Sequence, residues 1–197
     1  MILHQIFVDL GFGKTLWDNK WYAECYRNNI MYYYIKVWDY DMLVELVTKK
    51  YPQFLPFTRC FPHKFYWVDF CRPLILHSEP DSFYMDLDNM ILEKFDFSKD
   101  YLLSSVNDNQ INNDLIYFKN KEIYLKHAIF MQNRHISCDM PIEWKARRLQ
   151  HIVGQKCFNV FCKANRYKAS NVPMVRNFTQ TWLKIFDKKK IVPYNND

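Results

Sequence analysis

The sequence predicts an α/β domain built on a largely parallel sheet. Strand-like and helix-like patterns alternate through its first half, the mark of successive β-α-β units. Nearly half of the 197 residues are apolar and 18% are aromatic, enough for a substantial core. That length fits one domain better than two small ones, so residues 1–197 are read as a single unit.

Ile2 to Val8 is a short apolar run closed by Asp9, Gly11 and Gly13, and reads as a buried first strand followed by a loop. Trp17 to Asn28 has helical character, and Met31 to Trp38, rich in Tyr, Ile and Val, reads as a second strand. Asp39 and Asp41 are N-cap candidates for a helix over Met42 to Lys50, which stops before Pro52. A proline-rich stretch follows (Pro52, Pro56, Pro62). Lys64 to Leu76 is then a helix whose second half Pro73 is expected to disturb. Phe83 to Met85 is a brief strand running into Asp86-Leu87-Asp88. Tyr101 to Ser105 and Asp114 to Phe118 are further strands, and Lys121 to Gln132 is a helix. The Asn-rich patch from Asn107 to Asn113 reads as a loop, and Trp144 to Lys163 mixes helix and strand character. There is no internal repeat.

The formal charge of +6 suits an anionic ligand without choosing among nucleotide, nucleic acid and membrane surface. Part of the excess sits in a solvated tail at Lys184, Lys188, Lys189 and Lys190. Six scattered cysteines include no C-x-x-C pair, so zinc-ligand spacing is absent and reduced, mostly buried thiols are expected. No basic leader precedes Ile2. No run of about 18 apolar residues suggests a membrane span. These features together fit a soluble protein of a reducing compartment, the cytoplasm. The low glycine and the Asn, Lys, Ile and Tyr bias suggest an AT-rich genome, such as that of a large virus or an unusual microbe, and for a viral source the compartment is the host's cytoplasm.

Asp86-x-Asp88 is the sharpest local signal. Where a strand ends, the chain can curl so that both carboxylates reach one hard, oxygen-seeking cation, Mg²⁺ or Mn²⁺. The bare tripeptide is common in surface turns, but carboxylates where a buried strand emerges stand where open α/β sheets bind ligands. Gly11-Phe12-Gly13-Lys14-Thr15 fails as a P-loop because Val8 occupies the first glycine position. It fails as a dinucleotide fingerprint because residue 16 is leucine. The histidines, including His127 and His135, form no metal-binding pattern. No nucleophile elbow is present. Consecutive Tyr32, Tyr33 and Tyr34 are better read as core packing than as a stacking platform, so no nucleic-acid partner is expected.

Four segments occur in a particular order. They are Leu3-His4-Gln5-Ile6-Phe7, Tyr34-Ile35-Lys36-Val37-Trp38-Asp39, Asp69-Phe70-Cys71-Arg72-Pro73-Leu74-Ile75-Leu76 and Phe83-Tyr84-Met85-Asp86-Leu87-Asp88. Their succession resembles the glycosyltransferase family with a DXD-containing sugar-binding region. That family includes initiating mannosyltransferases, capsular polysaccharide transferases and, more distantly, clostridial glucosylating toxins. The resemblance implies a GT-A fold, a Rossmann-like α/β/α sandwich with a mostly parallel central sheet. It also implies sugar transfer with retention from a UDP- or GDP-sugar to a glycan or glycoprotein. Residues 1–105 would form the nucleotide-sugar and metal-binding half, and 106–197 the acceptor half and C-terminal tail.

By the same resemblance Asp86 and Asp88 would hold Mn²⁺ or Mg²⁺ on the donor diphosphate. Asp69 and Arg72 would contact sugar hydroxyls, with Arg72 also close to the departing phosphate. Phe7 would stack on the base, Ile6 approach it through the backbone, and Tyr84 lie beside the diphosphate. Ile111-Asn112-Asn113 looks like the family's later I-x-N segment, which puts Asn113 near the donor sugar. Ser170, Asn171 and Trp182 are candidates for the late metal-contacting segment. The chain departs from the pattern where Pro80-Asp81-Ser82 replaces a Gly-Gly, where Val68 replaces a small residue, and where the Arg72-to-Asp86 spacing is one residue longer. The altered loop into Asp86 is therefore expected to follow another path. Two other readings remain open from sequence: a catalytically silent nucleotide-sugar or glycan-binding module, and a basic nucleic-acid-binding protein.

Overall fold

A computed structural model describes residues 1–10, 14–107, 110–136 and 145–176. The Gly11-to-Gly13 loop, Trp182 and the basic tail lie outside the described residues. The chain runs through β1 (Ile2–Ile6), α1 (Lys20–Asn29), β2 (Tyr34–Trp38), α2 (Tyr40–Lys50), the short α3 (Leu55–Thr58) and α4 (Lys64–Ser78). It continues through β3 (Ser82–Met85), β4 (Asn89–Ile91), β5 (Tyr101–Asn107), β6 (Gln110–Phe118), α5 (Glu122–Ile136), α6 (Lys145–Ile152), α7 (Gln155–Ala164) and β7 (Met174–Arg176).

The central sheet has the order β2-β1-β3-β6-β5. β1 pairs parallel with β2 and β3, whereas β6 runs against both β3 and β5. One reversed strand thus sits inside an otherwise parallel sheet. The carboxyl ends of β1, β3 and β5 share a rim with the start of β6. On one face α2, α4, α5, α6 and α7 pack onto Ile6, Trp38, Tyr84, Leu103, Ile116 and Phe118. The other face carries Leu3, Ile35, Phe83, Met85, Leu115 and Tyr117. It is covered by Tyr26 of α1, by Tyr33, Phe95 and Phe97, and by Ile91 and Met174 of a two-stranded β4/β7 sheet. The period-two alternation of Phe83, Tyr84 and Met85 between these layers is what a strand buried on both faces requires.

Several expectations shift in detail. Asn19 accepts from the amides of Trp21 and Tyr22, so α1 starts at Lys20 and leaves a separate 3-10 turn over Leu16–Asp18. β2 begins only at Tyr34, which is exposed; Tyr33 packs edge-on to Phe83 instead. Asp39 is the cap of α2, accepting from Met42 N. Pro73 does not disturb the second half of α4, which continues to Ser78. Pro73 has no N–H for the carbonyl of Asp69, and its neighbours Arg72, Leu74, Ile75 and Leu76 are all buried, so packing holds the helix where propensity would end it.

The Asn-rich patch is a correction of another kind. It is not a loop throughout: β5 reaches Asn107 and β6 begins at Gln110, with only 108–109 undescribed between them. Leu103 pairs with Ile116 but Ser105 pairs with Ile111, so β6 advances five residues (116 − 111) while β5 advances two (105 − 103). The extra residues make a bulge through Asn112, Asn113 and Asp114. Such bulges re-aim side chains beside functional sites.

Candidate active site

Asp69 and Arg72 lie one turn apart on α4, and Arg72 Nη2 meets Asp69 Oδ1 at 3.1 Å. The same Nη2 reaches Asp86 Oδ1 at 2.9 Å, just past the end of β3. Tyr84 stands two residues before Asp86 on the same face, and its hydroxyl donates to that oxygen at 2.6 Å. The Arg72 guanidinium lies over the Tyr84 ring, 4.8 Å from its centre. From the bulge, Asn113 donates its amide to Asp69 Oδ1 at 3.1 Å, and its carbonyl accepts from Arg72 Nη1 at 2.7 Å. Five of the residues expected at the site (Asp69, Arg72, Tyr84, Asp86, Asn113) are therefore one bonded cluster.

Burial sets the electrostatics. The side chains of Arg72, Asp69 and Asp86 are 8%, 12% and 27% exposed. Burial alone would lower the Arg72 pKa, but Asp69 and Asp86 outweigh it and hold the guanidinium charged. Burial raises the carboxyl of Asp69 against the pull of Arg72 and Asn113. Asp86 is raised too, first by burial against Arg72, then by the nearby charges of Asp88 and Asp114. Tyr84 is pushed well above its ordinary range, chiefly by burial, and stays a neutral donor. It is fully buried, so it holds Asp86 from beneath rather than offering a ligand its ring face.

The Asp86-Leu87-Asp88 turn is fixed through its backbone. Asp86 N donates to Asp114 O at 2.8 Å, and Asp86 O accepts from Asn89 N at 3.2 Å and from Gln5 Nε2 at 3.4 Å. Trp21 Nε1 of α1 donates to Asp88 O at 2.9 Å. Gln5 is part of β1, which ends alongside this turn. Ile6 buries its side chain in the core, and half-buried Phe7 continues the pairing through its amide to Trp38 O at 2.9 Å.

The loop before β3 shows how the departure from Gly-Gly is accommodated. Asp81 has φ 48°, the left-handed region glycine serves most easily and aspartate tolerates better than most residues. Its carbonyl accepts from Ile2 N at 2.9 Å.

Residues the sequence did not single out complete the site. Asp114 is buried with its Oδ1 bonded by the Ser104 hydroxyl and its Oδ2 by Arg176 Nε at 2.7 Å. Arg176 Nη1 also donates to Ser105 O. Gly154 caps α7 so close to α4 that a Cβ there would lie 3.3 Å from Asp69 Oδ2. Ser170 and Asn171 do not join the Asp86 cluster; with Ser105, Val172, Met174 and Arg176 they line a cavity of about 390 Å³ beside it.

Among the described residues no group of three or more His, Cys, Asp or Glu side chains is arranged as a metal site. The chemistry of Asp86 and Asp88 nevertheless fits a hard divalent cation. They are neighbouring oxygen donors whose mutual repulsion a cation would relieve, and Mg²⁺ commonly takes one or two carboxylates with water and phosphate completing its shell. No described helix is long and apolar enough to cross a membrane.

No protein-family model and no curated protein matches the sequence. Solved structures do. The chain aligns over 83% of its length with 68% of a structure named PaToxG Glycosyltransferase, at TM-score 0.58 and 12% identity. A structure described as a transferase mutant aligns with 90% of this chain and 93% of its own, at TM-score 0.47 and 13% identity. The first likeness defines the fold class: a GT-A-like α/β domain with a mostly parallel sheet.

Proposed function

We propose that this protein is a metal-dependent glycosyltransferase that moves a sugar from a UDP- or GDP-sugar to a glycan or glycoprotein acceptor. The observation that carries the reading is the Asp69–Arg72–Asp86–Asn113 cluster at the carboxyl rim of a GT-A-like sheet. It joins two of the four segments that resemble the sugar-transferring family to the later Ile111-Asn112-Asn113 segment.

In this reading Asp86 and Asp88 hold Mn²⁺ or Mg²⁺, which when bound would neutralise the diphosphate of the leaving nucleotide. Arg72, charged and already braced, offers its guanidinium to the same phosphate or to sugar hydroxyls. Asp69, fixed by Arg72 and Asn113, presents a carboxylate to the hydroxyls of the donor ring. Phe7, just past the end of β1, would stack on the nucleobase. Transfer is read as retaining with attack from the leaving-group side. Asp69 and Asp114 are each held by an arginine, which favours neither as the free nucleophile of a double displacement.

The test is turnover of a panel of UDP- and GDP-sugars with and without Mn²⁺. Loss of turnover with chelator and in D88N is expected; turnover indifferent to both would refute the reading. A second reading, a silent nucleotide-sugar-binding module, draws on one observation: Asp86 Oδ1 already accepts from both Arg72 and Tyr84. Metal-dependent donor binding by calorimetry without turnover for any acceptor would favour it.

A further inference from the structure

We infer that Arg176 is a positioning residue for the Asp86-Leu87-Asp88 turn, acting through Asp114 and β4. The inference rests on the reading of Asp86 and Asp88 as the metal-holding pair.

Besides the bonds from Gln5 and Trp21, the turn is anchored through Asp114 and through Asn89, and Arg176 stands behind both of these. Asp86 N is bonded to the carbonyl of Asp114, whose carboxylate is held by Arg176 Nε at 2.7 Å and by Ser104. Asp88 leads directly into β4, where Asn89 is the ladder partner of Arg176 across the antiparallel β4/β7 pair. Asn89 ties the anchors together, donating its side-chain amide to Asp114 O at 3.3 Å and its backbone amide to Asp86 O. The second arm of Arg176 binds the carbonyl of Ser105, so the guanidinium also bridges β5 to β6 across the bulge.

A bulged strand with unpaired extra residues is the part of the sheet least able to hold its own geometry. Here the last residue of the bulge, Asp114, carries the anchor of Asp86. A fork with two fixed N–H directions can clamp carboxylate and carbonyl together; an ammonium cannot hold both in the same geometry. Asp114 is buried, so without Arg176 its charge loses its counter-ion and the bulge has reason to rearrange. Residues that orient metal ligands from behind commonly change metal affinity by about 10–100-fold when lost.

The experiment measures Mn²⁺ binding alone, by the loss of the free-ion EPR signal, on the full chain. Wild type, D88N, R176Q, R176K and the control K36Q are compared, each also by circular dichroism and thermal melting. Lys36 pairs with Glu79 at 3.2 Å and is remote from the turn in the bonding pattern. R176Q is expected to weaken Mn²⁺ binding about tenfold and R176K about threefold, with native circular dichroism in both. K36Q should melt lower while binding Mn²⁺ as wild type does. Equal affinity in R176Q and wild type would overturn the inference. Should R176Q not fold, R176K decides, and unchanged affinity there overturns it equally. Failure of wild type to bind Mn²⁺, or binding by D88N at wild-type strength, would instead remove the metal reading itself, so the two failures are separable.

Discussion

Two arginines meet the bulge of β6 from opposite sides, and they are built in different ways. Arg72 comes from the middle of a long helix, finds Asp69 one turn away, and reaches Asp86 across a packed core. Arg176 sits at the end of a three-residue strand, and its partners Asp114 and Ser105 lie 62 and 71 residues away in sequence. The bulge serves both because it turns Asn113 toward α4 and Asp114 toward β7. The helical side thus keeps one local brace, Asp69, beside its long-range bonds to Asp86 and Asn113, whereas on the strand side every bond of Arg176 depends on a distant segment closing over the sheet.

This contrast can be broken at its strongest point by D88N, which should lower metal-dependent transfer about a thousandfold, as expected when several kcal/mol of charge stabilisation is lost. Steady-state rates at saturating Mn²⁺ would check it. Next, R72L should destabilise by about 3–5 kcal/mol, because it leaves two buried carboxylates facing each other without their cation. R176Q should cost less, about 1.5–3 kcal/mol for lost bonds to a charged partner. Equal urea-unfolding losses in the two variants would erase the distinction between the sides.

A third test uses protons. His4 and His127 both belong to the helical side, and burial lowers their pKa values to about 4 and about 3. The unfolded chain takes up these protons first. The stability that depends on neutral imidazole is complete above about pH 6.5 and is lost as pH falls toward the folded values, at about 1.4 kcal/mol per pH unit for each histidine. The difference in unfolding free energy between wild type and H127L should therefore shrink between pH 6.5 and 5, and a pH-independent difference would contradict it. The smallest effect is expected at Gly154. An added Cβ would meet Gln150 Cα at 3.0 Å and Asp69 Oδ2 at 3.3 Å, so G154A should cost about 1–3 kcal/mol as an overpacking change. It should also raise the donor KM severalfold by pressing on Asp69.

Only part of the cluster was legible in the residues themselves. Asp86 and Asp88 announce themselves where an apolar run ends, whereas Asp69 and Arg72 were reached through the family likeness, with which their one-turn spacing on a helix agrees. Asn113 too was reachable only through that likeness. The bulge that aims it was hidden, because a register shift exists only relative to a partner strand. Asparagine is a poor strand former, which made Asn107 to Asn113 look like a loop. It serves in a strand here because its amides find buried partners, as Asn113 does on Asp69 and Asn112 on the Asn113 amide. The break at Gly154 that divides the mixed-looking stretch into α6 and α7 makes sense only once Asp69 is seen pressed against it. Asp114 and Arg176 carried no local signal: a lone aspartate and a lone arginine acquire meaning when the sheet brings them together.

Counted back from Leu115 and Tyr117, strict alternation would turn Asp114 toward α4 and Asn113 away from it; the bulge reverses this, bringing Asn113 to Asp69 and Asp114 to Arg176. Deleting a single residue between Ile111 and Leu115 would do more than shorten β6. It would take a residue out of the bulge and so disturb the aim of both side chains, the amide at Asp69 and the carboxylate at Arg176. Length in this short segment is consequently under tighter constraint than the identity of many side chains in the surrounding core.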